Sequence, residues 1–390
     1  MSLFIDASYE SINKYNEELC GDKVEILRDK DSVIVVLADG LGSGVKANIL
    51  ATLTSKIIGT MLMKGSGIEE AVETIASTLP VCKERGIAYS TFSILQVFNS
   101  GEAYLAEFDN PSVLCVKRGK VFEIPTQERE INGKLVKESR FIVNAEDMFI
   151  MISDGVIHAG IGGILNLGWQ WENVSEYVQR TYNNGLTSKN MTKLLLSVCE
   201  NLYMQKPGDD TTVVSVKIRK PLRVSVMVGP PVDRADDGRV VEKFMDCEGK
   251  KVVCGGTTSQ ILSRELGKEI STNFNYFNPS IPPTAEIEGI DLTTEGVLTL
   301  GRALEYMKKC LSLEGTIQDF LKLNKEDGAS RLTRILLNES TNISFYVGRA
   351  MNPAHQNPEF PLALSIKLKL VEEMAECLQS VGKQVEIEYY

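Results

Sequence analysis

The rhythm of the chain changes once, at Lys220-Pro221, and no single motif constrains the fold as much. Before that point, residues 91–98, 102–108, 112–116 and 120–124 read as short strands. They are broken at Asn99-Ser100-Gly101, Asp109-Asn110-Pro111 and Arg118-Gly119-Lys120, the pattern of an antiparallel meander. Helical spacing over 45–63, 68–79, 171–182 and 188–204 flanks these strands. Strands in meanders with helices in pairs predict two packed sheets with helices outside. After Pro221 the order becomes strand 223–228, helix 238–245, strand 251–254 and helix 259–266. A helix at 294–311, a strand at 343–347, a helix at 365–378 and a strand at 384–389 follow. A chain of 390 residues is also long for one core. The expected class is therefore α+β: an α-β-β-α sandwich over residues 1–219, followed by a smaller α/β domain over 220–390. Val224-Ser-Val-Met-Val-Gly229 and Ile343-Ser-Phe-Tyr-Val-Gly348 echo one another, and each precedes a helix and a strand led by Gly-Lys, which suggests a duplicated half-domain.

Charge and composition remove several function classes. A net charge of -10 argues against broad binding to nucleic acid or to anionic membranes. The amino terminus lacks a basic stretch followed by an apolar core, and no apolar run approaches the ~20 residues that span a bilayer. The eight cysteines are scattered without a C-x-x-C pair, so reduced thiols in a cytoplasmic protein are expected rather than a zinc site or a disulfide framework.

Acidic residues at strand ends carry the chemistry. Asp39 follows the β-branched run Val33-Ile34-Val35-Val36 and precedes Gly40. Asp154 follows the buried run 148–152 and precedes Gly155, while Asp209 and Asp210 stand immediately before the strand 211–219. Asp22, in Cys20-Gly21-Asp22, precedes a possible strand at 23–27. One Asp-Gly after a strand is ordinarily a turn. Four such sites on rigid supports can instead converge at one sheet edge, where their mutual repulsion calls for hard divalent cations, Mn2+ or Mg2+. Two such ions suit phosphoryl displacement by activated water. The glycines after Asp39 and Asp154 are expected to keep the approach open.

These pieces resemble a known family. Cys20-Gly21-Asp22, Ala38-Asp39-Gly40-Leu41-Gly42-Ser43-Gly44, Ser153-Asp154-Gly155 and Gly208-Asp209-Asp210-Thr211-Thr212 look like the motifs of the metal-dependent PPM/PP2C protein phosphatases, in the bacterial SpoIIE/RsbU-like branch. Phe108-Asp109-Asn110-Pro111-Ser112 agrees more weakly. The resemblance implies a serine/threonine phosphatase in which Asp39 bridges two metals and the Gly40 carbonyl ligates one. Asp154 and Asp209 complete the coordination of the second metal, Asp22 contacts the first metal directly or through water, and Asp210 is the neighbour to test beside Asp209. It implies a phosphoserine or phosphothreonine protein as substrate, such as an anti-sigma-factor antagonist. The histidine that eukaryotic members carry two residues beyond the first Asp is Leu41 here, which leaves the general acid unassigned. No phosphate-clamping arginine is evident, and His158 is expected to be structural.

Three other readings stand beside this one. Gly42-x-Gly44-x-x-Ala47 after a strand satisfies a dinucleotide-binding fingerprint. A catalytically inactive scaffold would use the same fold for binding alone. In the second domain, the turn Gly255-Gly256-Thr257-Thr258-Ser259 could present backbone N–H groups to an anion, with Thr257 or Thr258 as a plain N-cap the simpler expectation. Asp233, Asp236 and Asp237 read as a solvated acidic loop before a cation site, and Cys247 and Cys254 carry no sign of redox sensing. The second domain is expected to regulate the phosphatase or to recruit its substrate.

Overall fold

The computed structural model describes residues 3–78, 90–272, 281–312, 323–350 and 362–390. Leu79, Pro80, Cys82 and His355 lie outside them. Contacts divide the chain into two compact units, Met1–Lys220 and Pro221–Tyr390.

Unit 1 stacks two antiparallel sheets. One runs β1 (Phe4–Ile12), β11 (Thr211–Arg219), β10 (Met148–Ile152), β6 (Leu114–Lys117), β7 (Lys120–Phe122). The other runs β2 (Asp22–Arg28), β3 (Ser32–Asp39), β4 (Thr91–Phe98), β5 (Glu102–Phe108), β9 (Lys134–Ile142), β8 (Gln127–Ile131). Side-chain alternation along β3 shows how the layers form. Val33, Val35 and Leu37 face the space between the sheets, where they meet Phe149, Met151, Val214 and Val216. Ile34 and Val36 face the other way, onto α1 (Gly44–Met63) and α2 (Ile68–Thr78). Beyond the first sheet, Val174, Val178, Leu195 and Cys199 of α4 (Trp171–Thr181) and α5 (Ser188–Leu202) cover Met148, Ile150 and Ile152. The layer order is α-β-β-α. Each fully buried aliphatic side chain in these layers contributes roughly 1.5–3 kcal/mol.

Two details depart from the sequence reading, and the burial of one strand adds a third feature. The meander is split: β4 and β5 pair with each other, but β6 and β7 belong to the opposite sheet. The turn at Asp109-Asn110-Pro111 carries the chain across, with Asp109 at φ 51°. The hairpin β8–β9 was not anticipated because its strands are rich in charge. Its Asn132-Gly133 turn, with φ 51° and 73°, is nonetheless the strongest short hairpin signal. Strand β11 is buried on both faces, Ser215 and Lys217 included. The Lys217 ammonium survives there by donating to the Asn184 and Leu186 carbonyls and pairing with Glu146.

The fingerprint at Gly42-x-Gly44-x-x-Ala47 is not a dinucleotide site. A parallel β-α-β unit is required for that, and β3 has antiparallel neighbours on both sides.

Unit 2 holds a sheet in the order β14 (Ser271–Thr272), β15 (Ala285–Glu286), β16 (Leu292–Thr294), β13 (Lys250–Cys254), β12 (Arg223–Val228), β17 (Asn342–Val347), β18 (Gln384–Tyr389). The last five in that order are mutually parallel. Helices α6 (Asp237–Asp246) and α7 (Gly256–Leu266) pack on one face through Val240, Phe244 and Leu262. Helices α8 (Val297–Leu311), α9 (Gly328–Asn338) and α10 (Leu362–Ser380) pack on the other through Leu300, Leu336 and Met374. The three-residue strand β16 was missed in sequence; it is too short for alternation to show. Strands β12 and β17 are the two echoing segments, and they lie side by side. Gly249 and Gly382, which precede the following strands, both adopt positive φ.

Among the described residues, no helix is long and apolar enough to cross a membrane.

Candidate active site

Register brings the acidic residues of unit 1 together. Asp22 opens β2 and Asp39 closes β3, and the antiparallel pairing sets them directly opposite each other. Gly40 N–H donates to the Gly21 carbonyl at 3.1 Å, which continues the pairing one step past the strands. On the other sheet, Asp154 opens the short helix α3 (Asp154–Ile157) after β10, and Asp209 and Asp210 precede β11. Ser153 joins these two ends: its N–H donates to the Thr212 carbonyl, and its hydroxyl accepts from Thr212 N–H at 2.8 Å.

The glycines serve the packing rather than the approach. A Cβ on Gly40 would land on the Ala47 backbone carbonyl, and one on Gly155 would land on that of Asp210. A Cβ on Gly21 would fall 2.8 Å from the Asp210 carboxylate and 3.0 Å from the Ala47 Cβ. The Asp-Gly pairs therefore let the first turn of α1 and the β11 entry close on the strand ends.

Burial and repulsion act together on the carboxyls. Burial, then Asp22, Asp154, Asp209 and Asp210, push the Asp39 carboxyl up to about 9. Burial pushes Asp22 up to about 7, with Asp210 and Asp154 adding to the shift and the hydroxyls of Thr212 and Ser153 opposing it. Asp154, half exposed, is raised by burial and then by Asp209, while His158 works against the shift. Both Asp22 oxygens and Asp210 Oδ2 are buried and make no hydrogen bond of ordinary geometry, the Thr212 and Ser153 hydroxyls lying close to Asp22 without closing one. Asp210 Oδ1 accepts from Lys14 N–H at 3.0 Å, and Asp209 Oδ1 from Asp210 N–H at 3.0 Å. Buried oxygens outside any ordinary hydrogen bond, among carboxyls that raise one another's pKa, form a site suited to positive charge. Among the described residues, no three His, Cys, Asp or Glu side chains already stand as a closed ligand set. The chemistry of the donors fits hard divalent cations, and the carboxylates are gathered without being drawn onto one point.

Sequence reasoning missed Lys14. It follows β1, where nothing in its neighbourhood singles it out, and its ammonium lies 3.8 Å from Asp209 Oδ1 at the rim of the acidic group. His158 is half exposed, with Nδ1 4.0 Å from Asp154 Oδ2. The weaker motif also has a local role: Asn110 accepts from the Thr91 hydroxyl at 2.6 Å and donates to that of Ser93, which ties the crossing turn to β4 beside Asp39.

Residues 29–219 match the family model for stage II sporulation protein E, SpoIIE. Unit 1 carries a SpoIIE-family domain of the PP2C phosphatase type. The match to the SpoIIE family takes in Asp39, Gly40, Asp154, Asp209 and Asp210; Asp22 precedes it and joins the group through strand register. No curated protein matches the chain. Several solved structures share limited similarity. The PP2C phosphatase domain with a fragment of the regulatory domain of SpoIIE from Bacillus subtilis is 20% identical, over 56% of this chain and 63% of that one, with a TM-score of 0.48. The chain thus spans less than two thirds of that structure. The RsbU and RsbW domains of a Mycobacterium tuberculosis protein are 18% identical, over 62% and 68%, with a TM-score of 0.47. The SiaA-PP2C domain of Pseudomonas aeruginosa is 16% identical, over 54% and 85%, with a TM-score of 0.44.

In unit 2, partners account for the acidic loop. Asp233 caps Ala235 N–H, Asp236 pairs with Arg239, and Asp237 pairs with Arg264. Cys254 is buried and its thiol is pushed up to about 12, the opposite of a reactive cysteine. The N-cap of α7 is Gly255, and neither Thr257 nor Thr258 has that role. The Thr258 hydroxyl instead accepts from Gly229 N–H and donates to the Cys254 carbonyl.

Proposed function

We propose that the chain is a serine/threonine phosphoprotein phosphatase that acts with two divalent cations, Mn2+ or Mg2+, at the acidic edge of unit 1. The observation that carries this reading is the burial of both Asp22 oxygens and of Asp210 Oδ2, none in a hydrogen bond of ordinary geometry, beside Asp39 on a SpoIIE-family domain. Asp39 and the Gly40 carbonyl would hold one cation with help from Asp22; Asp39, Asp154 and Asp209 would hold the other, with Asp210 bracing the group. When bound, the cations supply Lewis acidity to a phosphate ester and lower the pKa of water.

The residues of the chain do the rest. The raised carboxyl of Asp39 holds a proton in the metal-free protein and releases it when positive charge arrives. Lys14 offers an ammonium to the phosphate dianion at the rim. Leu41 supplies no proton to the leaving alcohol, and that role would fall to water held at the site. The substrate class we propose is a small phosphoserine or phosphothreonine protein of the anti-sigma-factor-antagonist kind, met in the cytoplasm. The second unit is proposed to regulate that reaction or recruit its substrate.

The absence of a closed ligand set among the described residues favours one second reading, a binding module without turnover. A single assay separates the two. Hydrolysis of a phosphothreonine peptide and of p-nitrophenyl phosphate is measured with Mn2+, with Mg2+ and with chelator, beside Asp39→Asn. Metal-dependent turnover that disappears in the variant supports the phosphatase. Metal binding without turnover in the wild type would establish the binding module instead.

A further inference from the structure

The two halves of the acidic edge are bridged by the loop of residues 13–21, between β1 and β2. On one side Lys14 N–H donates to Asp210 Oδ1 at 3.0 Å, and Tyr15 N–H to the Pro207 carbonyl at 2.8 Å. On the other, the Cys20 carbonyl accepts from Asn48 Nδ2 at 2.8 Å, and the Gly21 carbonyl accepts from Gly40 N–H. Between these anchors the loop is closed on itself. Glu17 N–H donates to the Lys14 carbonyl at 3.0 Å, and Asn13 Nδ2 to the Glu18 carbonyl at 3.1 Å. Asn16 turns it at φ 69°, a conformation that asparagine tolerates better than most residues.

The segment facing this loop needs such support. Gly40-Leu41-Gly42-Ser43-Gly44 joins Asp39 to α1, and Gly42 and Gly44 adopt φ 97° and 69°. Glycines restrict their own backbone least, so contacts from outside must set the shape of the segment. Glu17 makes that contact at its far end. Ser43 Oγ donates to Glu17 Oε1 at 3.1 Å. A Cβ on Gly44 would stand 2.5 Å from Glu17 Oε2, so the carboxylate lies against the backbone where α1 begins.

Helix α1 makes little provision of its own there. Ser43 is its N-cap residue, yet the side chain makes no capping hydrogen bond, and the first turn has no acidic residue. A serine at that position ordinarily accepts from the helix. Here it donates outward, and the negative charge that favours a helix amino end comes from Glu17, on a different segment. One carboxylate thus fixes both the end of the glycine segment and the start of the helix whose Ala47 closes over Gly40. A hydrogen bond to an ionised group is about twice as strong as a neutral one, and this one is partly buried.

We propose that Glu17 is a positioning residue: through Ser43 and the start of α1 it holds the segment from Asp39 to Gly44 in the shape that receives a cation. The proposal rests on the reading of the acidic edge as a two-cation site, and it adds to that site a residue outside the carboxylates that would touch the ions.

The test measures Mn2+ binding to the full chain by calorimetry, without substrate, for the wild type, Glu17→Gln, Ser43→Ala and the double variant. Glu17→Gln keeps the shape of the side chain and removes its charge. Ser43→Ala keeps the charge and removes the bond, and it deprives α1 of no capping hydrogen bond. Each single change is expected to weaken Mn2+ binding about five- to tenfold, and the double variant should be little weaker than either. Glu18→Gln, which removes an exposed carboxylate from the same loop, should bind as the wild type does. Weaker binding in Glu17→Gln with none in Ser43→Ala would mean attraction at a distance rather than positioning, and would overturn the proposal. Fully additive effects, or an equal loss in Glu18→Gln, would overturn it too. So would unchanged affinity in Glu17→Gln with only its melting temperature lowered, the mark of a purely structural role. Those results leave the two-cation reading intact. A wild type that binds no Mn2+ would instead overturn that reading, and this proposal with it.

Discussion

The acidic edge of unit 1 and the strand ends of unit 2 both hold buried charge, with opposite sign and for different architectural reasons. In the antiparallel sandwich, successive strands point in opposite directions, so the end of one lies beside the start of the next. Asp39 therefore meets Asp22 across a hairpin, and Asp154 is brought toward Asp209 and Asp210 by the antiparallel pairing of β10 with β11, strands that three helices separate in the chain. In the parallel sheet every carboxyl end shares one edge, and a helix returning across the sheet delivers Lys367 to it. Antiparallel pairing suits several like charges brought close by register. Parallel winding suits a single charge delivered onto paired strand ends, where the Gly348 carbonyl accepts from Lys367. The first arrangement is suited to cations.

This comparison is broken most sharply at Asp39. Asp39→Asn is expected to lower phosphatase turnover by about 100- to 1000-fold, checked with the phosphothreonine peptide in Mn2+. The same change should stabilise the metal-free protein. The folded Asp39 carboxyl, raised to about 9, keeps its proton where the unfolded one has lost it. Metal-free stability should thus fall as pH rises from about 4 toward 9, and urea titrations of Asp39→Asn should show a shallower fall. An unchanged slope would mean that neither burial nor the neighbouring carboxyls raise Asp39.

The glycines come next. Gly40→Ala and Gly348→Ala each press a Cβ into backbone and should cost ~2–3 kcal/mol in urea denaturation. Gly256→Ala, whose Cβ meets nothing within 4 Å, should change stability by less than ~0.5 kcal/mol. Equal effects at all three would remove the packing account of both edges.

Lys367 sharpens the contrast in sign. Its folded pKa lies near 8, below that of an unfolded lysine near 10.4, so the unfolded chain binds more protons between those values. Stability of the ligand-free protein should therefore rise over that pH range, opposite to the trend from Asp39. Lys367→Met should remove the rise and stabilise the protein at pH 7 by about 1–2 kcal/mol. The smallest expected effect is at Lys14. Lys14→Met should lower kcat/KM about tenfold, chiefly through KM, if the rim ammonium meets the phosphate group.

Much of the fold was legible because burial on both faces leaves a continuous apolar run. β3 and β10 stand out for that reason, and so do the helices that cover them. The charged hairpin β8–β9 and the short β16 were hidden, one by its polar faces and the other by its length. Within the site, position beside a glycine at a strand end singled out Asp22, Asp39, Asp154 and the Asp209-Asp210 pair, because such a carboxylate leaves a local pattern. Lys14 left none.

By itself, the sequence determined which segments could be strands and helices, where the rhythm changes, and which carboxylates were candidates, since these depend on short-range pattern. The tertiary structure decided that Gly40 and Gly155 make room for backbone, that β6 crosses to the opposite sheet, and that Lys367 ends beside Gly229. Each of these is a contact between residues far apart in the chain, and steric fit and charge compensation across such distances depend on how the strands are ordered in space.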